Sequence, residues 1–284
     1  MNAVLENRHV LGLSGGRDSA ALAVFMRQRY PELRIEYFFT DTGKELPEVH
    51  DYLSKLEGFL GQPIARLNPD RDFDFWLKEY NHFLPSPQTR WCTRMLKLRP
   101  FEKWIRPSLR AGAIVHSYVA IRSDEDHREG MVATDPNLRV VLPFRENGVD
   151  KRGVIEILEN SGLGLPTYYK WRSRSGCTFC FFQQKIEWVR LKKEHPDAFE
   201  EAKRYEKVAL DHGSPFTWAS KESLTELEQP ERVAQIVSDY ELRQQRERAG
   251  KPVNPLRPLA LQGLDIDDLF LEEEGGGACL ACHK

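Results

Sequence analysis

This sequence predicts an α/β fold, a mostly parallel sheet with helices on both faces, and three observations carry that prediction. Short apolar runs alternate with segments of helical periodicity through the first half of the chain. A loop rich in glycine and serine lies between the first such run and the first such segment. The chain has 284 residues, 40% of them apolar and 30% charged, enough to bury a core in one large domain or two modest ones. Alternation of this kind implies parallel strands joined by crossover helices, with ligands bound beyond the carboxyl ends of the strands.

The strands are expected at Val10–Leu13, Ile35–Thr40, Ile64–Leu67 and Ile114–Ile121, with a shorter one at Arg139–Leu142. Helices are expected between them at Ser19–Arg29, Pro47–Leu60, Phe73–Tyr80 and Met95–Ile105. Leu46, Val49, Leu53, Leu56 and Leu60 recur at helical spacing, as an amphipathic helix requires. After about residue 165 the character changes to polar amphipathic helices at Glu187–Lys193, Asp197–Asp211 and Glu231–Arg248, punctuated by Pro196, Pro215 and Pro230. Residues 1–165 are therefore read as an α/β domain, and residues 166–284 as a helical, cysteine-bearing region. Three prolines in Lys251–Pro258 suggest a linker, followed by a weak helix at Asp265–Glu274. Gly275, Gly276 and Gly277 then read as a hinge before the closing Cys279-x-x-Cys282 tail. No internal repeat is present.

The loop itself runs Ser14-Gly15-Gly16-Arg17-Asp18-Ser19. Glycines there let the backbone approach an anion, and the free amides of a helix's first turn point at it. The Ser14 and Ser19 hydroxyls add donors, and the Asp18 carboxylate suits Mg2+. The spacing fits neither a Walker loop, which needs Lys before Ser or Thr, nor Gly-x-Gly-x-x-Gly. Asp41-Thr42-Gly43 after the second strand and Arg122 after the fourth fall on the same rim. Asp41 either contacts the ligand or its metal, or starts a turn. Arg122 offers a planar fork for a phosphate, and Asp124 either holds magnesium or orients Arg122.

The net charge of -2 hides two basic blocks. Arg90 to Arg110 holds seven basic residues against Glu102, and Lys170 to Lys193 holds seven against Glu187. Such blocks either attract polyanions or form solvated helix faces. No run approaches the roughly 18 apolar residues of a membrane span, and the first residues lack a signal-peptide pattern, so a cytoplasmic protein without membrane contact is expected. Five cysteines in a reducing compartment point to metal binding or catalysis. Trp171, Phe179, Phe181, Phe182 and Trp188 surround Cys177-x-x-Cys180, and a shielding role for them is favoured over base stacking. His127 and His283, with no partner at ligand spacing, are read as structural or exposed.

The loop resembles the Ser-Gly-Gly-x-Asp-Ser signature of the PP-loop ATP pyrophosphatases. Five further elements narrow the likeness: Asp41 to Glu48, Arg90-Trp91-Cys92-Thr93 with Lys97 and Pro100, Ala120 to Glu125, Cys177-x-x-Cys180, and the cysteine tail. In this order they look like the phosphoadenylyl-sulfate (PAPS) reductase superfamily, closest to the ATP pyrophosphatases of DNA phosphorothioation, over about residues 8–210 plus the tail. The resemblance implies an adenine nucleotide alpha hydrolase-like fold. It implies ATP and Mg2+ held by Ser14, Gly15, Gly16, Arg17, Asp18, Ser19, Asp41, Thr42, Gly43 and Arg122. Reductases of this group carry a degenerate loop, whereas here every residue of the signature is intact, which argues for ATP as substrate.

Iron–sulfur members have a cysteine pair where this chain has Trp91-Cys92. The resemblance therefore implies a 4Fe-4S cluster on Cys92, Cys177 and Cys180, with the fourth position taken by Cys282 of the tail, by a non-cysteine ligand, or by substrate sulfur at an open iron, and with Cys279 as a catalytic sulfur carrier. Zinc held by Cys177, Cys180, Cys279 and Cys282 is the alternative, as thiolates suit both. The expected activity is adenylylation of an acceptor for sulfur transfer, with Asp18, Arg122 and Cys279 catalytic. The acceptor is a nucleic acid, DNA ahead of tRNA, and a cysteine desulfurase supplies the sulfur. A homo-oligomer is compatible with this reading. The alternatives are a sulfonucleotide reductase, a tRNA thiolation enzyme, and a non-catalytic nucleotide-binding subunit with a zinc staple.

Overall fold

A computed structural model describes residues 7–248, apart from 127, 129–132, 134, 215 and 220. The chain divides into two units: an α/β unit of residues 7–76 and 90–178, and a helical unit of residues 77–89 and 179–248. Residues 166–178 thus belong with the α/β unit rather than with the helical region, and a short segment before Arg90 belongs with the helices.

The α/β unit is a five-stranded, wholly parallel sheet of β1 (Asn7–Gly12), β2 (Ile35–Phe39), β3 (Ile64–Arg66), β4 (Ile114–Tyr118) and β5 (Leu138–Val141), in the order β3-β2-β1-β4-β5. The helices are α1 (Arg17–Arg29), α2 (Pro47–Leu60), α3 (Phe73–Glu79), α4 (Trp91–Thr93), α5 (Arg99–Arg110), α6 (Pro143–Glu146) and α7 (Lys151–Asn160). A π turn at Arg94–Leu98 joins α4 to α5, and a 3-10 turn spans Thr167–Lys170. The five strands match the expected runs. The chain steps from β1 outward through β2 to β3, then returns to the other side of β1 for β4. The loop after β1 therefore lies at the switch point where such sheets bind ligands.

Burial follows from the sequence. Val10, Leu11 and Val115 are fully enclosed, as the strands of a sheet covered on both faces must be. Phe38 stacks on Phe101 with centroids 4.9 Å apart, which fastens α5 to the sheet. Helix α1 is apolar on most sides (Ala20 to Val24 are all buried) because α7 and α2 pack against it. In the helical unit, α8 (Lys185–Glu194) packs against α9 (Pro196–Asp211), α10 (Leu224–Leu227) and α11 (Pro230–Arg248). Its core holds Trp188 and Trp218, 6.1 Å apart, beside the buried Glu206, whose carboxylate accepts from the Trp218 and Leu224 amides. Among the described residues no helix is long and apolar enough to cross a membrane. The weak helix, the triple glycine, Cys279, Cys282, His127 and His283 lie outside the described residues.

Candidate functional site

The loop between β1 and α1 is held by packing that only glycine permits. Gly15 has φ +72°, and a Cβ there would stand 2.6 Å from Val49 Cγ1 of α2. Gly16 precedes α1, and a Cβ on it would meet Ser175 Oγ at 2.5 Å and Ser175 Cβ at 2.9 Å. Three hydroxyls gather beneath: Ser14 Oγ lies 3.1 Å from Ser19 Oγ and 3.2 Å from Ser175 Oγ. Ser19 Oγ also accepts from the Ser14 amide at 3.1 Å. Tyr168 donates to the Gly15 carbonyl at 2.8 Å, and the Arg17 amide donates to the Tyr169 hydroxyl. Residues 168–175 therefore brace the loop. Ser175, Tyr168 and Tyr169 were not identified from the sequence, and no spacing rule points to them from so far along the chain.

Arg122 stands beside this loop, 4% exposed. It donates from Nε and Nη2 to both Asp124 carboxylate oxygens, at 2.9 and 3.3 Å, and from Nη1 to Asp18 Oδ1 at 3.1 Å. Its amide donates to Glu125 Oε2, and Glu125 is also paired with Arg128. Of the two roles open to Asp124, the structure shows the orienting one. Burial works against the Arg122 charge, but Asp124, Asp18 and Glu125 more than offset it and hold the guanidinium protonated. Burial pushes the Asp18 carboxyl up, while Arg122 and Arg17 pull it down by less.

The Asp41–Glu45 loop forms the other wall. Asp41 Oδ1 accepts from the Gly43 amide at 2.9 Å, so its turn-forming role is realised. Glu45 reaches back to accept from the Thr42 amide and hydroxyl and from the Lys44 amide. Burial, opposed by Lys97 and Thr42 and assisted by Asp41, pushes the Glu45 carboxyl up to about 7. Asp41, Glu45 and His50 bring their ligand atoms within 4.8 Å of one another, a set able to hold a divalent cation. Glu45 and His50 were not singled out as site residues. The Thr42-x-x-Glu45 spacing, that of a capping box, is the signal for Glu45.

The loop also receives a cysteine. Cys177 pairs with Glu45 through the backbone, its Sγ is 3.4 Å from Thr42 Oγ1, and Arg172 donates to its carbonyl at 2.7 Å. Cys92 sits in α4, just before the π turn that carries Lys97. Cys180 belongs to the helical unit. All three are half-buried and outside any disulfide. Trp171, Phe179, Phe181, Phe182 and Trp188 are buried. Of the Lys170–Lys193 block, Arg172 and Lys185 are buried, with Lys185 paired to Glu222 at 2.8 Å, and Lys192 is paired to Glu228. That block is in part internal structure. In the first block Arg94, Arg99, Lys103, Arg106 and Arg110 are exposed.

Residues 8–135 match the family model of the Phosphoadenosine phosphosulfate reductase domain, somewhat under half of the chain. Two uncharacterized proteins of Methanocaldococcus jannaschii are similar to it, one 26% identical over 200 residues (67% of this chain) and one 24% identical over 191 residues (66% of this chain). The chain spans 40% and 44% of the length of these relatives. Among solved structures, a PAPS reductase from Candida auris in a phosphate complex gives a TM-score of 0.47 at 11% identity, over 60% of this chain and 81% of that one. A tRNA thiolase, NcsA, from Methanococcus maripaludis with its 4Fe-4S cluster gives 0.41 at 17% identity, over 73% of this chain and 75% of that one.

Proposed function

We propose that this chain is an ATP pyrophosphatase that adenylylates an acceptor for sulfur transfer, with DNA, in phosphorothioate modification, as the acceptor. The observation that carries this reading is the intact Ser14–Ser19 loop, with its three gathered hydroxyls and the Asp18–Arg122–Asp124 array beside it. The loop amides and the Ser14 and Ser19 hydroxyls are donors for the pyrophosphate of ATP. Arg122, preset by Asp124, balances charge on the leaving pyrophosphate as the acceptor oxygen bonds to the α-phosphorus. The Asp18 carboxylate, released from Arg122 by the incoming phosphates, is suited to Mg2+. AMP then leaves with the acceptor oxygen as a sulfur nucleophile takes its place.

The donor chemistry of Cys92, Cys177 and Cys180, three half-buried cysteines outside any disulfide, fits a thiolate-bound metal group. With a tail thiol these residues would hold a 4Fe-4S cluster, or zinc in the alternative reading, and a cluster supplies a resting place for sulfide-level sulfur. A cysteine desulfurase is the proposed donor and the cytoplasm the proposed compartment.

Radiolabelled pyrophosphate released from ATP tests this function. Wild-type protein should release it with acceptor present, and Asp18→Ala should not. The match of residues 8–135 to the reductase domain favours one second reading, a sulfonucleotide reductase in which a tail cysteine attacks sulfate sulfur. That enzyme releases no pyrophosphate from ATP, so absence of release in the wild type would overturn the first reading and leave the second.

A further inference from the structure

A second concavity opens on the same rim of the sheet, away from the glycine loop. It is a cleft of about 280 Å³, formed where the chain leaves β3 and where α3 and α5 begin. Its aromatic wall is Phe75 and Trp76, half-buried rings set edge to face at 5.3 Å. Two guanidinium groups lie over those rings, Arg71 at 4.9 Å from the Phe75 centroid and Arg99 at 5.8 Å from that of Trp76. Lys103 completes the lining and pairs with Asp70 at 2.6 Å, and Arg99 and Arg71 also act on that carboxylate, so the lining sets three cations against one acid. Arg71, Arg99 and Lys103 are all exposed.

Cations alone on α5 would suit any polyanion. Here they converge with two ring faces drawn from another element, in a space at the small end of the roughly 300–1,000 Å³ typical of ligand sites. A ring face takes a base, and a pair of arginines takes the adjoining phosphate. Stacking of this kind needs an unpaired base, because a duplex keeps its base faces covered. We propose that this cleft binds one unpaired nucleotide of a single-stranded nucleic acid, its base against Trp76 and Phe75 and its phosphate between Arg71 and Arg99. The inference rests on the reading of a nucleic-acid acceptor and deepens it. β3 stands two strands from β1, about 10 Å at the usual inter-strand spacing. The cleft therefore holds the strand next to the glycine loop rather than in it.

The test measures binding to the full chain, without ATP, by fluorescence anisotropy. The probes are labelled oligo-dT, labelled oligo-rU, an abasic strand of equal length and the matching duplex. Oligo-dT or oligo-rU should bind more tightly than the abasic strand and the duplex. Trp76→Ala should weaken the base-bearing strand about tenfold and leave the abasic strand unchanged, and Trp76→Phe should restore most of the loss. Arg71→Glu, at an exposed position that does not threaten folding, should weaken both strands and flatten their salt dependence. Equal binding of strand and duplex, or an unchanged affinity in Trp76→Ala, would overturn the proposal. Binding is read without ATP. Missing pyrophosphate release would thus sink the proposed reaction and not this site, and missing strand binding the reverse.

Discussion

At the scale of single residues, the site is defined by close approach. Gly16 and Ser175 meet so tightly that an added methyl would strike both Oγ and Cβ of the serine, and rotation of the hydroxyl cannot relieve the second contact. Gly16→Ala should therefore destabilise the protein by about 1–3 kcal/mol, the usual cost of overpacking. Ser175→Gly in the same chain should restore most of that stability, as read by urea unfolding. Gly15→Ala clashes with Val49 of α2 and also needs a positive φ, so Ser175→Gly should not rescue it. Arg122 permits a sharper test. Its fork matches both oxygens of Asp124 and keeps a third donor for Asp18, a geometry that lysine lacks even though its charge is the same. Arg122→Lys should cut pyrophosphate release by about 10²–10³-fold, the range seen when one preorganised transition-state donor is lost. A variant within twofold of wild type would mean that Arg122 only neutralises Asp18.

At the scale of elements, the register of β1 on β4 sets His9 beside His116, their rings stacked 4.8 Å apart, with His9 Nδ1 2.8 Å from the Tyr118 hydroxyl. Burial lowers the pKa of both below the usual 6.5, and His9 lowers His116 further. The unfolded chain thus takes up protons at a higher pH than the folded one. The stability these residues allow is complete above about pH 6.5 and is lost as pH falls through the lower folded values. The urea midpoint should drop between pH 7 and pH 5, and His116→Phe, which keeps the stacking and removes one titrating ring, should reduce that drop. The strands were legible in the sequence as short apolar runs, most clearly in β1, β2 and β4 at the centre of the sheet, whereas the edge strands β3 and β5 bury little. Helix α7 was not: it is only ten residues long, Gly153 interrupts its first turn, and Val154 and Leu158 are the residues it buries. Nor was the attachment of residues 166–178 to the α/β unit legible. Tyr168, Tyr169 and Ser175 act through single contacts to a loop some 150 residues earlier, and such contacts leave no local pattern.

At the scale of the whole molecule, charge and sulfur were counted correctly along the chain, yet burial decides what each group can do. Arg172 and Lys185 add to the sum of a basic block while serving as internal donors, so composition overstated the surface open to a polyanion. The cysteines present the converse problem. Cys92, Cys177 and Cys180 lie outside any disulfide, and a closed four-thiolate metal site built on them needs one more. Cys279 and Cys282 are the remaining two. If one of them completes the site, its loss should lower the metal content. If instead they carry sulfur, their loss should spare the metal and stop transfer. The full-length Cys279→Ser/Cys282→Ser protein separates these roles, because pyrophosphate release depends on the glycine loop and should persist in either case. Anaerobic preparation with iron, sulfide and zinc analysis, beside an assay of sulfur delivered to DNA, reads both at once. Reduced iron with lost transfer assigns a ligand, and unchanged iron with lost transfer assigns a carrier. Full transfer with unchanged metal would remove the tail from this chemistry, exclude the zinc set that needs Cys279 and Cys282, and leave a cluster on Cys92, Cys177 and Cys180 whose fourth iron is not held by the tail.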